Sequence, residues 1–341
     1  MIFRSRAPLR IGLAGGGTDV SPYCDIYGGA ILNATVSLYA KASIELIEEK
    51  KIILTALDRN EEEIFNWQKS LPVNGKLDLL KGVYNRIQHD FGVPEKGFRL
   101  STFVDAPAGS GLGTSSTLVV AIIGAFAEML KLPLGEYDIA NYAYSIERKD
   151  LQLAGGRQDQ YAATFGGVNF MEFYENDKVI VNPLRVRQQH LNELENNLVL
   201  YYTSTSRESA QIIVAQQKNV QEKNEKSIEA MHRLKEQARL MKEALLKGQL
   251  NEIGEILDFG FQQKRNMAEN ISNNMLEKIY HAAKHAGATG GKISGAGGGG
   301  FMIFYCPNNT CYKVRETLEK FGGKVQLYLF TPQGLDSWTT K

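Results

Sequence analysis

Cysteine is scarce in this chain: three among 341 residues, Cys24, Cys306 and Cys311, with no CxxC pair. An odd count without that spacing argues against a disulfide framework and for a reducing compartment. Long apolar runs are missing too. The opening segment MIFRSRAPLRIGLAGGG breaks its short apolar stretch with glycine, and no run approaches the roughly 18 residues of a spanning helix. No membrane anchoring and a cytoplasmic location are therefore expected. Charge of one sign is not in excess: Lys and Arg total 39, Asp and Glu 38, for a formal net charge of +1. Nothing in that balance draws the chain to nucleic acid or to an anionic membrane, so any anion it binds has to be met locally. The HRD triplet of protein kinases is absent, and so is the lysine that ends GxxxxGK[ST]. His281 and His285 in HAAKH lack the glutamate of HExxH and a third ligand, which reads as an exposed helix face and not a metal site.

What the chain does have is glycine, gathered in a few clusters. In PAGSGLGTSS (107–116) the glycines alternate with other residues between a strand-like run, Phe98 to Val104, and a helical pattern with Leu118, Ile122, Phe126 and Met129 on one face. Strand, glycine loop and helix aim free N–H groups and the positive helix end at one spot, which suits a phosphate. Ser115 and Ser116 are either caps of that helix or, through one hydroxyl, ligands of a magnesium ion bridging nucleotide phosphates. A second cluster, APLRIGLAGGGTDVSPY (7–23), spaces its glycines wrongly for GxGxxG, so dinucleotide binding is not expected. Arg10 interrupts an apolar strand there, and so faces either a cleft or a salt-bridge partner. Asp19 is either an acceptor for sugar hydroxyls or a helix cap. The third cluster, SGAGGGGF (294–301), offers a low-bulk wall before a strand. Between them, Glu147 reads as a second metal carboxylate and Asp159 as a base for a substrate hydroxyl, each against the plainer reading of surface carboxylate or helix cap.

The length suits two domains, 1–185 and 186–341, the second opening with the strand LVLYYT and a long helical region. Met231, Leu234, Ala238, Met241 and Leu245 step by three and four there, one helix face packed on the chain's own core. Helices on one side of a small antiparallel sheet fit the order that follows.

APLRIGLAGGGTD, PAGSGLGTSS and KISGAGGGGF together resemble the three motifs of the GHMP small-molecule kinases, in the same order and spread over nearly the whole chain. The longer strings APLRIGLAGGGTDVSPYCDIYGGAILNAT and GGRQDQYAATFGGVNFMEF most resemble bacterial D-glycero-D-manno-heptose 7-phosphate kinases. Galactose kinases carry Glu-His before the Thr-Asp pair, whereas here Gly16 and Gly17 precede Thr18 and Asp19, which argues against galactose and leaves room for a different or larger substrate. The resemblance implies an α+β, two-domain fold, with a β-rich N-terminal domain containing a left-handed βαβ unit and a ferredoxin-like C-terminal domain. It implies ATP phosphates along Pro107, Ala108, Gly109, Ser110, Gly111 and Leu112, continuing through Gly113, Thr114, Ser115 and Ser116. Mg²⁺ would sit at Ser115 and Glu147, and Asp159 would be catalytic with Arg10 facing it. The sugar would meet Gly16, Gly17, Thr18 and Asp19, with Gly297 and Gly298 from the third motif. Arg157 and Arg207 are the candidates for its distal phosphate. The implied reaction is ATP-dependent phosphorylation of the anomeric hydroxyl of the heptose 7-phosphate to the 1,7-bisphosphate, for GDP-heptose and surface glycans. The same motifs admit an anomeric kinase of an unphosphorylated sugar such as fucose, or a non-catalytic sugar and ATP sensor. Expected partners are the two small molecules, with room for a homodimer.

Overall fold

A computed structural model describes residues 1–204 and 209–340. Its larger sheet grows around two long strands, β1 (Ile2–Ala14) and β2 (Gly29–Ile47). The sequence pattern suggests two short strands within 30–47, but Ala30 to Ile47 runs as one, because β2 serves two neighbours on its far edge. Its first part pairs with β6 (Val168–Phe173) and its second with β5 (Gly97–Val104), both antiparallel. β3 (Lys51–Ala56) lies parallel to β5, and β4 (Glu61–Asn66), hairpinned to β3, forms one edge. β7 (Val179–Pro183) pairs with β6 across a hairpin, where Asn176 and Asp177 take positive φ.

Helices cover this sheet. α1 (Tyr23–Tyr27) is a single turn after β1, and α2 (Asp78–Asp90) precedes β5. α3 (Thr114–Leu130) packs along β1 and β2 and is buried almost all round, with Val119 through Phe126 inside. α4 (Glu136–Ser145) runs into a π-helical turn, Ile146–Asp150, of the kind that re-aims side chains at functional sites. The glycine-flanked stretch 155–167 holds a short helix, α5 (Gln158–Phe165).

After α6 (Gln188–Asn197), the smaller sheet takes β8 (Leu198–Tyr202), β9 (Gly290–Ile293), β10 (Phe301–Tyr305) and β11 (Lys324–Gln326) in the order β11-β8-β10-β9. That order, all antiparallel with helices between, is the ferredoxin-like arrangement. α7 (Ser209–Gln221), α8 (Glu225–Lys247), α9 (Ile253–Met267) and α10 (Asn274–Ala286) lie between β8 and β9, and α11 (Cys311–Glu319) between β10 and β11. Met231, Leu234, Ala238, Met241 and Leu245 of α8 are buried as their spacing predicts. α8 lies on β1 and β2, so Ala238, Met241 and Leu245 close the core of the large sheet, while Met231 and Leu234 pack in a separate cluster with Tyr23, Met267 and Ile271.

The tail does not stay with the second half. β12 (Asp336–Thr340) returns to pair with β1, and β11 stops at Gln326, after which Phe330 bridges to Val36. Gly124 of α3 leaves space for this return; a Cβ there would lie 2.7 Å from Leu335.

Candidate active site

The loop 107–116 joins β5 to α3, and its glycines are dictated by geometry. Gly109, Gly111 and Gly113 all have φ between 71° and 87°, and a Cβ on Gly111 would lie 2.5 Å from the Ser294 carbonyl. Gly113 is the N-cap of α3, with no side-chain cap. Ser115 and Ser116 therefore do not cap the helix. From Gly111 through Ser116 no backbone N–H finds a protein acceptor among the described residues. An uncapped helix start at the floor of a cleft is an anion site by construction.

Arg10 and Asp159 meet below this loop. A bulge between Pro8 and Arg10 shifts the β1–β2 register and frees the Arg10 N–H to donate to Leu112 O at 3.1 Å. The guanidinium is buried; Nε and Nη2 lie 2.7 and 2.6 Å from Asp159 Oδ1, and Nη1 donates to Gly111 O at 2.6 Å. Both strong contacts use Oδ1, which leaves Oδ2 of Asp159 without a donor among the described residues. Asp159 sits in the first turn of α5, and a methyl on Gly113 would lie 3.0 Å from its carboxyl carbon.

Asp19 holds that helix in place. Its Oδ2 accepts the N–H groups of Arg157 and Gln158 at 2.8 and 3.0 Å, capping α5 from 138 residues away in sequence. Gly156 makes room, since a Cβ there would lie 1.9 Å from Asp19 Oδ2. Burial pushes the Asp19 carboxyl above its ordinary range, opposed by those same N–H groups.

Glu147, in the π turn, is buried and accepts from Ser116 Oγ at 3.0 Å and from Gln160 Nε2 at 2.5 Å. Burial raises its pKa, and the Arg148 guanidinium, 3.6 Å away, works against that rise. A desolvated carboxylate at a cleft wall, with hydroxyls beside it, fits a divalent cation. Ser115 is exposed and lines the same cleft, whereas Ser116 is spent on Glu147. Among the described residues no three His, Cys, Asp or Glu side chains gather, so the chain would supply only part of a magnesium shell, as is usual when phosphates and water complete it.

These groups line a cavity of about 300 Å³ together with Arg148, Gln216 and Lys264. A second cavity of about 360 Å³ adjoins it, sharing Gly109, Thr114, Ser115 and Leu153, and is mostly apolar through Leu79, Leu80, Val104 and Leu118.

Several expected residues are elsewhere. Arg157 turns away from the cleft: its Nη2 lies 3.0 Å from Asp25 and 2.9 Å from Asp177, and Nη1 donates to Tyr174 O. Its guanidinium is committed to an ion-pair cluster outside the cleft lining, not placed where the expected distal phosphate would need it. Thr18 is fully buried, its hydroxyl accepting the Ala30 N–H and lying 2.9 Å from Gly15 O, so it shapes the turn instead of meeting the sugar. Gly297 and Gly298 pack against Ile271, where Gly298 N donates to its carbonyl at 2.8 Å; Gly295 and Ala296 are the cleft residues of that motif. Arg207 lies outside the described residues.

Sequence reasoning passed over Arg148, Gln160, Lys264 and Lys292. Lys264 had a signal. It falls in step with Leu257 and Phe261 on the buried face of α9, where a lysine is out of place.

The N-terminal domain of the GHMP kinases matches residues 78–167 and their C-terminal domain residues 241–324. The chain is 49% identical, over 98% of both chains, to a D-glycero-alpha-D-manno-heptose 7-phosphate kinase of Campylobacter jejuni. A crystal structure described as a D-glycero-D-manno-heptose 1-phosphate kinase from Bacteroides thetaiotaomicron is 44% identical, with a TM-score of 0.85 over 99% of each chain. A putative sugar kinase from Campylobacter jejuni superposes with a TM-score of 0.81 at 48% identity, over 99% of this chain and 98% of that one.

Proposed function

The chain belongs to the GHMP kinase family, and from that premise we propose that it moves the γ-phosphoryl group of ATP onto the anomeric hydroxyl of D-glycero-D-manno-heptose 7-phosphate, yielding the 1,7-bisphosphate. The observation that carries this reading is the contact between the two halves of the machinery: the catalytic carboxylate lies against Gly113, the last glycine of a loop whose N–H groups from Gly111 to Ser116 have no acceptor among the described residues.

Phosphoryl transfer asks a protein mainly for positioning and for charge neutralisation. The N–H groups from Gly111 to Ser116 bind the β- and γ-phosphate oxygens. The apolar second cavity, continuous with the loop, takes the adenine between Leu79, Leu80 and Leu118. Ser115 and Glu147 would hold Mg²⁺, which when bound neutralises charge on those oxygens. Asp159 Oδ2, unused by Arg10, accepts the proton of the attacking hydroxyl, while Arg10 fixes the carboxylate and keeps a positive charge beside the reacting phosphoryl group. Asp19 Oδ1, which Gln158 Nε2 reaches only at 3.5 Å, is left to accept from a sugar hydroxyl. Three free, buried thiols and a need for ATP suit a cytoplasmic site of action.

The relatives' names differ on which end of the heptose already carries phosphate. Release of ADP from Mg-ATP, measured with heptose 7-phosphate, heptose 1-phosphate, unphosphorylated heptose, fucose, galactose and mevalonate, separates the cases. Preference for the 7-phosphate is the expected result. Preference for the 1-phosphate would reverse the assignment of the attacking hydroxyl, and preference for fucose would replace the substrate.

A further inference from the structure

Lys264 and Lys292 are both almost fully buried, at 2% and 4% exposure, and neither has a carboxylate within ion-pair distance among the described residues. Each ammonium has three N–H donors but makes one hydrogen bond among the described residues, to a carbonyl: Lys264 to Gly295 and Lys292 to Gly12, the latter at 2.9 Å. Among the described residues, the carboxylates near them are already engaged. Asp159 is bound by Arg10, and Asp19 spends Oδ2 on the start of α5. The cleft floor thus holds positive charge and unused donors that no other described residue answers, a costly arrangement unless a ligand completes it.

The geometry says where that ligand would go. A Cβ built on Gly16 would lie 3.9 Å from both Nζ atoms, and beyond the adjoining residues nothing else among the described residues comes within 4 Å of it. The N–H groups of Gly16 and Gly17 have no protein acceptor among the described residues, while Gly17, Asp19 and Lys264 all line the cavity that contains Asp159. Open space beside a glycine, two spare peptide donors and two ammonium groups converge there.

We propose that this corner is the seat of the phosphate the sugar substrate already carries, with Lys264 as its direct cationic ligand, the Gly16 and Gly17 N–H groups as further donors, and Lys292 as a second positive charge behind them. The assignment rests on the proposed sugar-phosphate kinase reading and names the residues that make it specific. A phosphate monoester supplies the two things the corner lacks, acceptor oxygens and close to two negative charges. A sugar hydroxyl supplies neither in sufficient measure. The seat takes over the role first expected of Arg157, whose guanidinium is committed to Asp25 and Asp177.

The test compares kcat/KM for D-glycero-D-manno-heptose 7-phosphate and for the same heptose without phosphate, in the full-length protein and in Lys264→Met. The expected result is a wild-type preference for the phosphorylated sugar and, in the variant, a loss with that sugar roughly 10- to 100-fold larger than the loss with the other, the range for a hydrogen bond to a charged group. An equal loss with both sugars overturns the seat and leaves the kinase reading standing. A wild type without any preference for the phosphorylated sugar overturns the kinase reading in its present form and the seat with it. Gly16→Asp provides the second arm should Lys264→Met fold poorly. Its carboxylate enters open space beside both ammonium groups, so the melting temperature should hold or rise while the preference collapses; a retained preference overturns the proposal.

Discussion

The cleft has two anion-ready ends built from different materials. At the α3 end the donors are peptide N–H groups, fixed by glycines whose φ angles and close contacts admit nothing larger. At the Gly16 end the donors include two buried lysines. Backbone donors carry no titratable proton and need no desolvated charge, so the first end stays the same at every pH and waits without penalty for ATP. The second end depends on ammonium groups held where charge is costly. Burial, with Arg10 adding to it, brings the Lys264 ammonium down to about 8, and burial together with Lys264 and Arg10 brings Lys292 well below the usual lysine range. A backbone cradle suits a cofactor common to a whole family, and a side-chain seat suits the substrate that distinguishes one member.

Asp159→Asn gives the largest expected effect, because it leaves both ends intact and removes what links them. Its kcat should fall roughly 10²- to 10⁴-fold, the range for loss of a general base, with little change in the KM for ATP. A drop under about fivefold in a steady-state assay would remove Asp159 from that role.

Gly113→Ala breaks the backbone end alone. The left-handed conformation costs an alanine about 1–2 kcal/mol, and its methyl would press on the carboxyl carbon of Asp159. A fall of roughly 10- to 100-fold in kcat/KM for ATP is expected from about 1.4 kcal/mol per decade. An unaffected enzyme would mean the loop moves on binding.

Raising the pH should sharpen the contrast. Lys264 faces Arg10, Lys292 and Asp19, and as the pH rises through about 8 it loses its charge in the free enzyme. The KM for the phosphorylated sugar should then climb by up to about tenfold while the KM for ATP stays level. Stability should move the opposite way. Between about 8 and the ordinary lysine value of 10.5 the unfolded chain binds the extra proton, so unfolding becomes harder as pH rises through that window. Thermal melts of the wild type and Lys264→Met across this range should show a shallower rise in the variant, since Lys292 retains its share.

Arg157→Gln is the smallest perturbation to selectivity. Removing one side of a buried ion-pair cluster should lower the melting temperature, with about 3–5 kcal/mol at stake, yet change the ratio of kcat/KM between phosphorylated and unphosphorylated heptose less than twofold. A selective loss with the phosphorylated sugar would return Arg157 to the substrate.

Much of this was legible in the sequence, and the misses have physical causes. The loop, α3 and Arg10 stood out because glycine, hydroxyl and charge interrupt apolar periodicity there. α5 was obscured by the glycines at its flanks, which serve contacts invisible in sequence: Gly155 gives room to Arg148 and Gly156 to Asp19. Arg157 looked close to Asp159 by number, but it is the N-cap residue of α5, and residues two apart on a helix do not share a face. β12 is a partly exposed edge strand without an apolar pattern, recognisable only through its pairing with β1. Lys264 and Lys292 drew no notice because a lysine reads as surface unless its helix or strand face is considered first.

The most direct test of the whole account is the product itself. Phosphorus NMR of D-glycero-D-manno-heptose 7-phosphate incubated with Mg-ATP and the purified protein should show one new resonance coupled to the anomeric proton, growing with ADP while the 7-phosphate signal persists, and absent with Asp159→Asn. ADP formation without an anomeric phosphate, or phosphate appearing at any other carbon, would contradict it.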